Sequence, residues 1–170
     1  MVDDIILVDE RNQQIGTGKK MPVHEEGKLH RAFSIFIFNS KGELMLQRRA
    51  KHKYHCGGLW TNTCCSHPRP DKNIKEEAEK RLQEEMGFSC DLKEIFSFDY
   101  QICFENGLIE NEFDHVFVGK YEEEPILNKE EADDWRWISG KNLQKELKNN
   151  PEVFTYWLMV IMEDYSKKLF

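Results

Sequence analysis

The sequence predicts an α+β fold, an α/β sandwich in which a mixed β-sheet is packed with helices. Strand-like segments lie on both sides of the clearest helix, two long ones are joined at Asn106-Gly107, and a helical segment ends the chain. Strands, then a helix, then further strands are typical of a sheet covered by helices. Because 170 residues suffice for one core but not for two ordinary ones, we expect residues 1–170 to form a single domain.

The segments before the central helix alternate between strand and turn composition. Residues 29–38 (LHRAFSIFIF) are rich in β-branched and aromatic side chains, which predicts a buried strand. The following Asn-Ser-Lys-Gly sequence has turn chemistry, so residues 43–47 are expected to pair back as the second strand of a hairpin. We predict strands at 2–8, 29–38, 43–47 and 60–65, with a turn at 9–12.

The clearest helix is predicted over residues 73–86. Asn73 can cap it, with Glu76 in the reciprocal position of a capping box, and Gly87 is a natural stop. Its apolar side chains recur every four residues, at Ile74, Ala78, Leu82 and Met86. Beyond it, Asn106-Gly107 is a strong hairpin signal. The later elements are predicted as strands at 94–104, 108–121 and 134–138, a short helix near 143–147 and a C-terminal helix from Pro151 onward.

Composition and charge narrow the classes of function. A hydrophobic content of 39% is that of a globular protein, and a formal net charge of −7 disfavours a general nucleic-acid binder. No apolar run approaches the roughly 20 residues that a membrane helix needs, so no membrane partner is expected. Five cysteines, an odd number without an export signal, favour reduced thiols and a cytoplasmic location.

Two glutamates in a predicted strand are the first candidates for chemistry. Because side chains alternate across a sheet, Glu110 and Glu112 face the same way, about 7 Å apart along the strand, and Asp114 continues the row. A solvated sheet face is the simpler interpretation, whereas a buried row of acids requires a cation. The apolar side chains on the other face are expected to anchor the sheet: Ile109, Phe113 and Phe117.

Histidines and cysteines add possible ligands. We pair His24, His30 and His67 with the glutamates, since imidazole and carboxylate together suit Mn²⁺, Zn²⁺ or Mg²⁺. Cys65 lies two residues before His67 and shares its face, whereas Cys64 points the other way. Adjacent cysteines do not form a C-x-x-C pattern, so a zinc finger is excluded. The other histidines are interpreted as structural: His52, His55 and His115. The basic segment 48–53 is either a diphosphate-binding loop or a solvated one.

Taken together, these motifs resemble the type 1 isopentenyl-diphosphate isomerases over nearly the whole chain. The matching stretches are GTGKKMPVHEEGKLHRAFS, LQRRAKHKYHCGGLWTNTCCSHP, RLQEEMGF, IENE and FTYWLM. The pattern TNxxCxHP, followed at a distance by ENE, is highly specific to that family. The resemblance implies a Nudix fold and an isomerase of isoprenoid biosynthesis. Such an enzyme interconverts isopentenyl and dimethylallyl diphosphate by a metal-dependent protonation–deprotonation, which is a 1,3-allylic shift.

The resemblance also implies roles for individual residues. One divalent metal (Mn²⁺, Mg²⁺ or Zn²⁺) would be held by His24, His30, His67, Glu110 and Glu112. A second ion, Mg²⁺, would bridge the substrate diphosphate to Glu85 and to the backbone carbonyl of Cys65. The implied catalytic residues are Cys65, Glu112, Tyr100 and Trp157, and the implied diphosphate-binding cations are Lys20, Arg49, Lys53 and Arg81. The expected partner is a small isoprenoid diphosphate, and the expected state is a monomer or a weak homodimer.

A Nudix pyrophosphohydrolase is the alternative, and a non-catalytic metal-binding module is a second one. The hydrolase pattern G-x5-E-x7-R-E-U-x-E-E-x-G-U aligns with residues 66–88. Its end is present as Glu84-Glu85-Met86-Gly87-Phe88, but Ser66 replaces the first Gly, Lys72 the first Glu, and Lys80-Arg81 the R-E pair. Replacing acids by cations removes much of a hydrolytic metal site. These departures favour binding of a diphosphate over its hydrolysis.

Overall fold

The computed structural model describes residues 4–170 and has the predicted α+β architecture. The strands are β1 (Asp4–Val8), β2 (Gln14–Lys19), β3 (His30–Phe38), β4 (Leu44–Arg49), β5 (Trp60–Thr61), β6 (Cys64–Ser66), β7 (Lys93–Cys103), β8 (Ile109–Lys120) and β9 (Ala132–Ile138). The helices are α1 (Lys20–Glu26), α2 (Ile74–Met86), α3 (Gly140–Asn149), α4 (Tyr156–Asp164) and α5 (Ser166–Leu169). No helix among residues 4–170 is long and apolar enough to cross a membrane.

The strand β3 lies at the centre of the sheet and determines where a cleft can form. It pairs in parallel with β8 and antiparallel with β1 and β6, while β7 continues the sheet beyond β8. The predicted β3–β4 hairpin is present, but the two strands are paired only at Phe38 and Leu44. From that point β4 pairs with β5 and β9 instead. The two strands therefore diverge, and side chains from both can reach the space between them.

Two apolar layers hold the sheet, one on each face. Because side chains alternate along β3, Phe36 packs in a cluster with α4, whereas Phe33 and Ile35 pack in a second cluster with α2. The predicted caps of α2 are present: Asn73 Oδ1 accepts from two backbone amides, and Gly87 ends the helix at φ 76°. The helices thus fix the sheet from both sides.

Several predicted boundaries were wrong, each for a local reason. The single strand predicted at 60–65 is two short strands, β5 and β6. They are interrupted at Asn62 and Thr63, whose buried side chains donate to backbone carbonyls, those of Ile35 and Cys64 for Asn62 and that of Met45 for Thr63. The C-terminal helix does not start at Pro151: a 3-10 turn (Pro151–Val153) and a bridge from Phe154 to Trp60 precede α4. The elements β2 and α1 were not predicted. Residues 2 and 3 of the first predicted strand lie outside the described residues.

Candidate active site

A cleft opens where β3 and β4 diverge, and it brings together residues that are far apart in sequence. Eight strands and helices and the loop 50–59 contribute side chains to it, among them Lys20 from α1, Gln47 and Arg49 from β4, Glu110 and Glu112 from β8, and Trp157 from α4. The other predicted residues that line the same cleft are Lys53, Cys65, His67, Arg81, Glu85 and Tyr100. His24 and His30 join the cleft at its floor through their contacts with the two glutamates.

The acidic row of β8 is buried, so the solvated interpretation of this face is wrong. Glu110, Glu112 and Asp114 are 2%, 9% and 1% exposed. The opposite face carries Ile109 and Phe113, which are only half-buried, so these side chains are not the main anchor of the strand. Three buried carboxyl groups in a row are costly unless they are paired, neutralised or bound to a cation.

Three histidines face the glutamates, and backbone carbonyls define the tautomer of two of them, His24 and His30. His24 Nδ1 lies 2.7 Å from the Lys20 carbonyl and His30 Nδ1 lies 2.8 Å from the Lys28 carbonyl. A carbonyl oxygen only accepts, so each Nδ1 carries the proton and each Nε2 presents a lone pair. Both Nε2 atoms are buried without a hydrogen-bond partner among residues 4–170. The interior of the cleft therefore contains nitrogen lone pairs that have no proton donor.

These atoms form a set that fits a divalent metal. One ligand atom from each of five side chains lies within 4.8 Å of all the others: His24, His30, His67, Glu110 and Glu112. Mixed nitrogen and carboxylate donors suit Mn²⁺ or Zn²⁺, and carboxylates alone suit Mg²⁺. The fit is supported by the unpartnered His24 Nε2, His30 Nε2 and Glu110 Oε2, which a cation would satisfy together.

The charge state of this cluster agrees with metal binding. Burial lowers the pKa of His67 to about 4, so its imidazole is neutral near pH 7. Burial alone would raise the pKa of Glu112, but the neighbouring rings of His30 and His67 hold it well below its usual range. Burial and the charge on Glu112 raise the pKa of Asp114, which accepts a bond of 2.7 Å from Ser34. The neutral imidazole of His67 and the ionised carboxylate of Glu112 are the forms in which these groups bind metals.

Two groups that can carry protons lie beside the cluster. The Tyr100 hydroxyl donates to Glu112 Oε2 at 2.7 Å, and burial raises the pKa of this phenol well above its usual range. Cys65 Sγ donates to Asn62 Oδ1 at 3.1 Å, and burial raises the pKa of the thiol to about 12. On the neighbouring strands, Cys65 pairs with Ser34 of β3, and Glu112 pairs with His30 of β3. Four residues of strand separate these backbone levels by about 13 Å, so the thiol and the carboxylate reach into the cleft from different positions along β3.

Trp157 both packs in the core and faces the cleft. It is 5% exposed and belongs to the apolar cluster of α4. Its indole Nε1 donates to Thr61 Oγ1 at 2.9 Å, and the guanidinium carbon of Arg49 lies 5.4 Å from its ring centroid. The ring face is thus already in contact with a cation at the edge of the cleft.

A second set of charges lies at the other side of the cleft. Arg81 donates to Glu85 at 2.7 Å and pairs with Glu131 at 2.9 Å, and Lys53 contacts the same Glu131. Burial lowers the pKa of Lys20, and the neighbouring charges of Lys53, Arg49 and Arg81 lower it further, against the opposing effect of Glu110. Cations that repel one another in this way would be stabilised by an anion between them.

Some residues of the cleft were missed by the sequence analysis. His55 was interpreted as structural, and it is buried in the cleft wall, where its Nε2 contacts Glu110 Oε1. It lies in an irregular loop with no periodicity to indicate its direction. The structure also adds Gln47, Tyr54 and Glu131 to the lining. Cys64 faces α2 on the other side of the sheet, and His115 bonds Glu94 on the outer face, as expected.

Known structures identify the class of fold. The family model of the NUDIX domain matches residues 28–158. The crystal structure of DR0079 from Deinococcus radiodurans superposes with a TM-score of 0.78 at 17% identity, covering 95% of this chain and 99% of that one. A MutT protein from Methanosarcina mazei superposes with a TM-score of 0.67 at 20% identity, covering 82% and 94%. At such identities the likeness shows the fold alone, and that fold is the Nudix fold.

Sequence relatives narrow the class further. The chain is 52% identical to "Isopentenyl-diphosphate Delta-isomerase 2" of Aromatoleum aromaticum, over 96% of this chain and 86% of the relative. It is 50% identical to "Isopentenyl-diphosphate Delta-isomerase" of Serratia proteamaculans, over 96% and 92%. The chain therefore belongs to the isopentenyl-diphosphate Delta-isomerase family of NUDIX-domain proteins, and the predicted resemblance is confirmed.

Proposed function

We propose that this protein interconverts isopentenyl diphosphate and dimethylallyl diphosphate in the cleft between β3 and β4. The observation that carries the proposal is that one cleft holds a metal-binding cluster, two separate proton-carrying groups and a buried indole. A hydrolase needs no proton donor for carbon and no aromatic face for a carbocation. The names of the relatives, which share up to 52% of their residues with this chain, support the same activity.

The reaction adds a proton at one end of an allylic unit and removes one from the other end, so atoms and charge balance. A simple alkene is a very poor base, so the donor must be held close and shielded from water. We assign the two proton transfers to Cys65 and to the Glu112–Tyr100 pair, which line the same cleft. The phenol is buried and the thiol is half-buried, which shields both from bulk water.

The intermediate of this route is a tertiary carbocation, which needs an electron-rich and dry surface. Trp157 offers its ring face there, and desolvated cation–π contacts contribute about 2 kcal/mol or more. Because the charge exists only between the two proton transfers, this contact accelerates the reaction without tightening substrate binding.

The metal cluster would hold a divalent ion through His24, His30, His67, Glu110 and Glu112. When bound, this ion supplies positive charge that stabilises ionised Glu112. The second carboxylate oxygen of Glu112 keeps its bond to Tyr100. The two carboxylate oxygens of Glu112 therefore have different roles, since one faces the histidines of the metal cluster and the other accepts from the hydroxyl of Tyr100.

We assign diphosphate binding to Lys20, Arg49, Lys53 and Arg81. Glu85 and the Cys65 carbonyl would hold Mg²⁺, which would supply positive charge to the diphosphate. In the present structure both Glu85 oxygens are occupied, by Arg81 Nε at 2.7 Å and by Gln47 Nε2 at 2.9 Å. For Glu85 to hold Mg²⁺, Arg81 would have to release its bond to Glu85, and its guanidinium would then be available to the diphosphate. The diphosphate site would therefore be completed only when substrate binds.

Heavy water separates isomerase from hydrolase. The purified protein is incubated with isopentenyl diphosphate and Mg²⁺ in D₂O, and the products are followed by ¹H and ³¹P NMR. An isomerase places deuterium in the methyl group of the dimethylallyl product and leaves the diphosphate intact. Release of phosphate or a monophosphate without carbon deuteration would establish a pyrophosphohydrolase instead, and unchanged spectra would establish a binding module.

A further inference from the structure

Two buried polar side chains lie between the thiol and the indole, and neither belongs to the metal cluster or the cations. Thr61 ends β5, and Asn62 follows it in the turn before β6. They are 1% and 0% exposed. Buried polar groups of this kind persist only when their hydrogen bonds are satisfied, so their bonding pattern indicates what they hold in place.

The orientation of the Asn62 amide is fixed by two backbone groups. Its Nδ2 donates to the carbonyls of Ile35 at 3.1 Å and Cys64 at 3.0 Å. A carbonyl cannot donate, so the nitrogen must point to these two oxygens and Oδ1 must point the other way. Oδ1 then accepts from Cys65 Sγ at 3.1 Å and from Thr61 Oγ1 at 2.9 Å.

The Thr61 hydroxyl continues the chain of bonds to α4. Since its single proton is donated to Asn62, its oxygen is available as an acceptor. It accepts from Trp157 Nε1 at 2.9 Å and from Thr155 Oγ1 at 2.9 Å. Each hydroxyl, thiol and indole proton in this series of hydrogen bonds has one acceptor, and the direction of each bond follows from the fixed orientation of the Asn62 amide.

We propose that Thr61 and Asn62 are positioning residues that hold the Cys65 thiol and the Trp157 indole in register across the cleft. This inference rests on the proposed function, because it assigns the two held groups to proton transfer and to carbocation stabilisation. Both must face the same few atoms of substrate, and a displacement of about 1 Å costs roughly 100-fold in rate. One hydrogen-bonded unit couples their positions better than two independent contacts, because neither group can shift without breaking a buried bond.

Thr61→Val tests the link, because valine keeps the shape and removes the hydroxyl. Thr61→Ser restores the hydroxyl, and Thr63→Val is the matched control. Thr63 is equally buried two residues away, and its hydroxyl bonds only to the backbone of Met45 and Ile37. We expect Thr61→Val to lower kcat by roughly 10- to 100-fold, with KM for isopentenyl diphosphate and metal content little changed. Thr61→Ser should recover most of kcat, and Thr63→Val should lose stability but keep its kcat.

A second measurement reports the link without turnover. The indole Nε1–H resonance of Trp157, assigned with Trp157→Phe, should move in Thr61→Val and return in Thr61→Ser. The proposal is overturned if Thr61→Val keeps the wild-type kcat and resonance, or if Thr63→Val loses as much kcat. A wild-type protein that does not isomerise would refute the proposed function alone. The resonance would still decide whether Thr61 holds the indole.

Discussion

The metal cluster and the cation cluster lie in the same cleft, but they are built differently. The metal cluster stands mainly on regular strands and a helix, and its His24 Nε2 and His30 Nε2 atoms have no hydrogen-bond partner within the described part of the chain. The cation cluster consists of Lys20, Arg49, Lys53 and Arg81, and two of these, Arg81 and Lys53, are already paired with Glu131. The first is a set of ligand atoms that already fits a small ion, whereas the second must exchange a protein carboxylate for the ligand. Changes to the two clusters should therefore differ in kind as well as in size.

Glu112→Gln should have the largest effect, because this carboxylate serves both the metal cluster and Tyr100. We expect the metal content of the purified protein to fall and kcat to drop by about 100- to 10,000-fold, the range of general acid–base catalysis. Metal analysis and steady-state kinetics measure both. Glu94→Gln on the outer face of the sheet is the control. A Glu112→Gln protein with full metal content and turnover would remove Glu112 from the site.

Trp157→Phe tests an aromatic that serves both the core and the cleft. Phenylalanine keeps an apolar ring but has a weaker π face, so we expect kcat to fall by roughly 10-fold while the melting temperature changes little. Turnover and thermal unfolding are measured side by side. Trp135→Phe, in the cluster on the opposite face of the sheet, should not alter kcat. Early melting combined with normal turnover would mean that Trp157 only packs.

His55→Ala tests whether His55, which lies between the cation cluster and the metal cluster, orients the metal ligand Glu110. Arg49 lies 3.5 Å from His55 Nδ1, and His55 Nε2 contacts Glu110. Groups that orient a metal ligand are worth roughly 10- to 100-fold in metal affinity, so His55→Ala should weaken binding by about 10-fold. Chelator competition measures this without substrate. The exposed His52 provides the control variant His52→Ala, and equal affinities in both proteins would return His55 to a structural role.

Glu131→Gln should have the smallest effect, confined to the cation cluster. Without this carboxylate, Lys53 and Arg81 no longer have to give up a charged partner when diphosphate arrives. We expect KM for isopentenyl diphosphate to fall by roughly 2- to 5-fold, with metal content unchanged. The neighbouring and exposed Glu130 provides Glu130→Gln as the control. A raised KM would mean that Glu131 positions the cations instead of competing for them.

Much of the metal cluster could be predicted from sequence because strand alternation is regular. The period of two placed Glu110 and Glu112 on one face and separated Cys65 from Cys64. Burial of the acid row could not be derived from that pattern, since the layer covering it comes from α1 and α4. The helix α1 was missed because it is short and contains Pro22, and β2 because Gly16 and Gly18 interrupt any apolar alternation.

The roles of residues on loops, and of Thr61 and Asn62 between Cys65 and Trp157, could not be predicted from the sequence. The direction of His55 depends on how the loop 50–59 folds over Arg49, and no period describes that loop. Asn62 has its role only because Ile35 and Cys64 fix its amide, and these contacts join different strands. The family resemblance supplied roles for Cys65 and Trp157, but not for the two residues between them.

The neighbouring cysteines allow the most direct test of the central claim, that protons move through this cleft. Cys65→Ala and Cys64→Ala are compared for deuterium incorporation into dimethylallyl diphosphate in D₂O, with metal content and melting temperature measured on the same samples. The account predicts that Cys65→Ala abolishes incorporation and keeps its metal, while Cys64→Ala, altered on the α2 side of the sheet, retains most of it. Incorporation that persists in Cys65→Ala and is lost in Cys64→Ala would contradict the account.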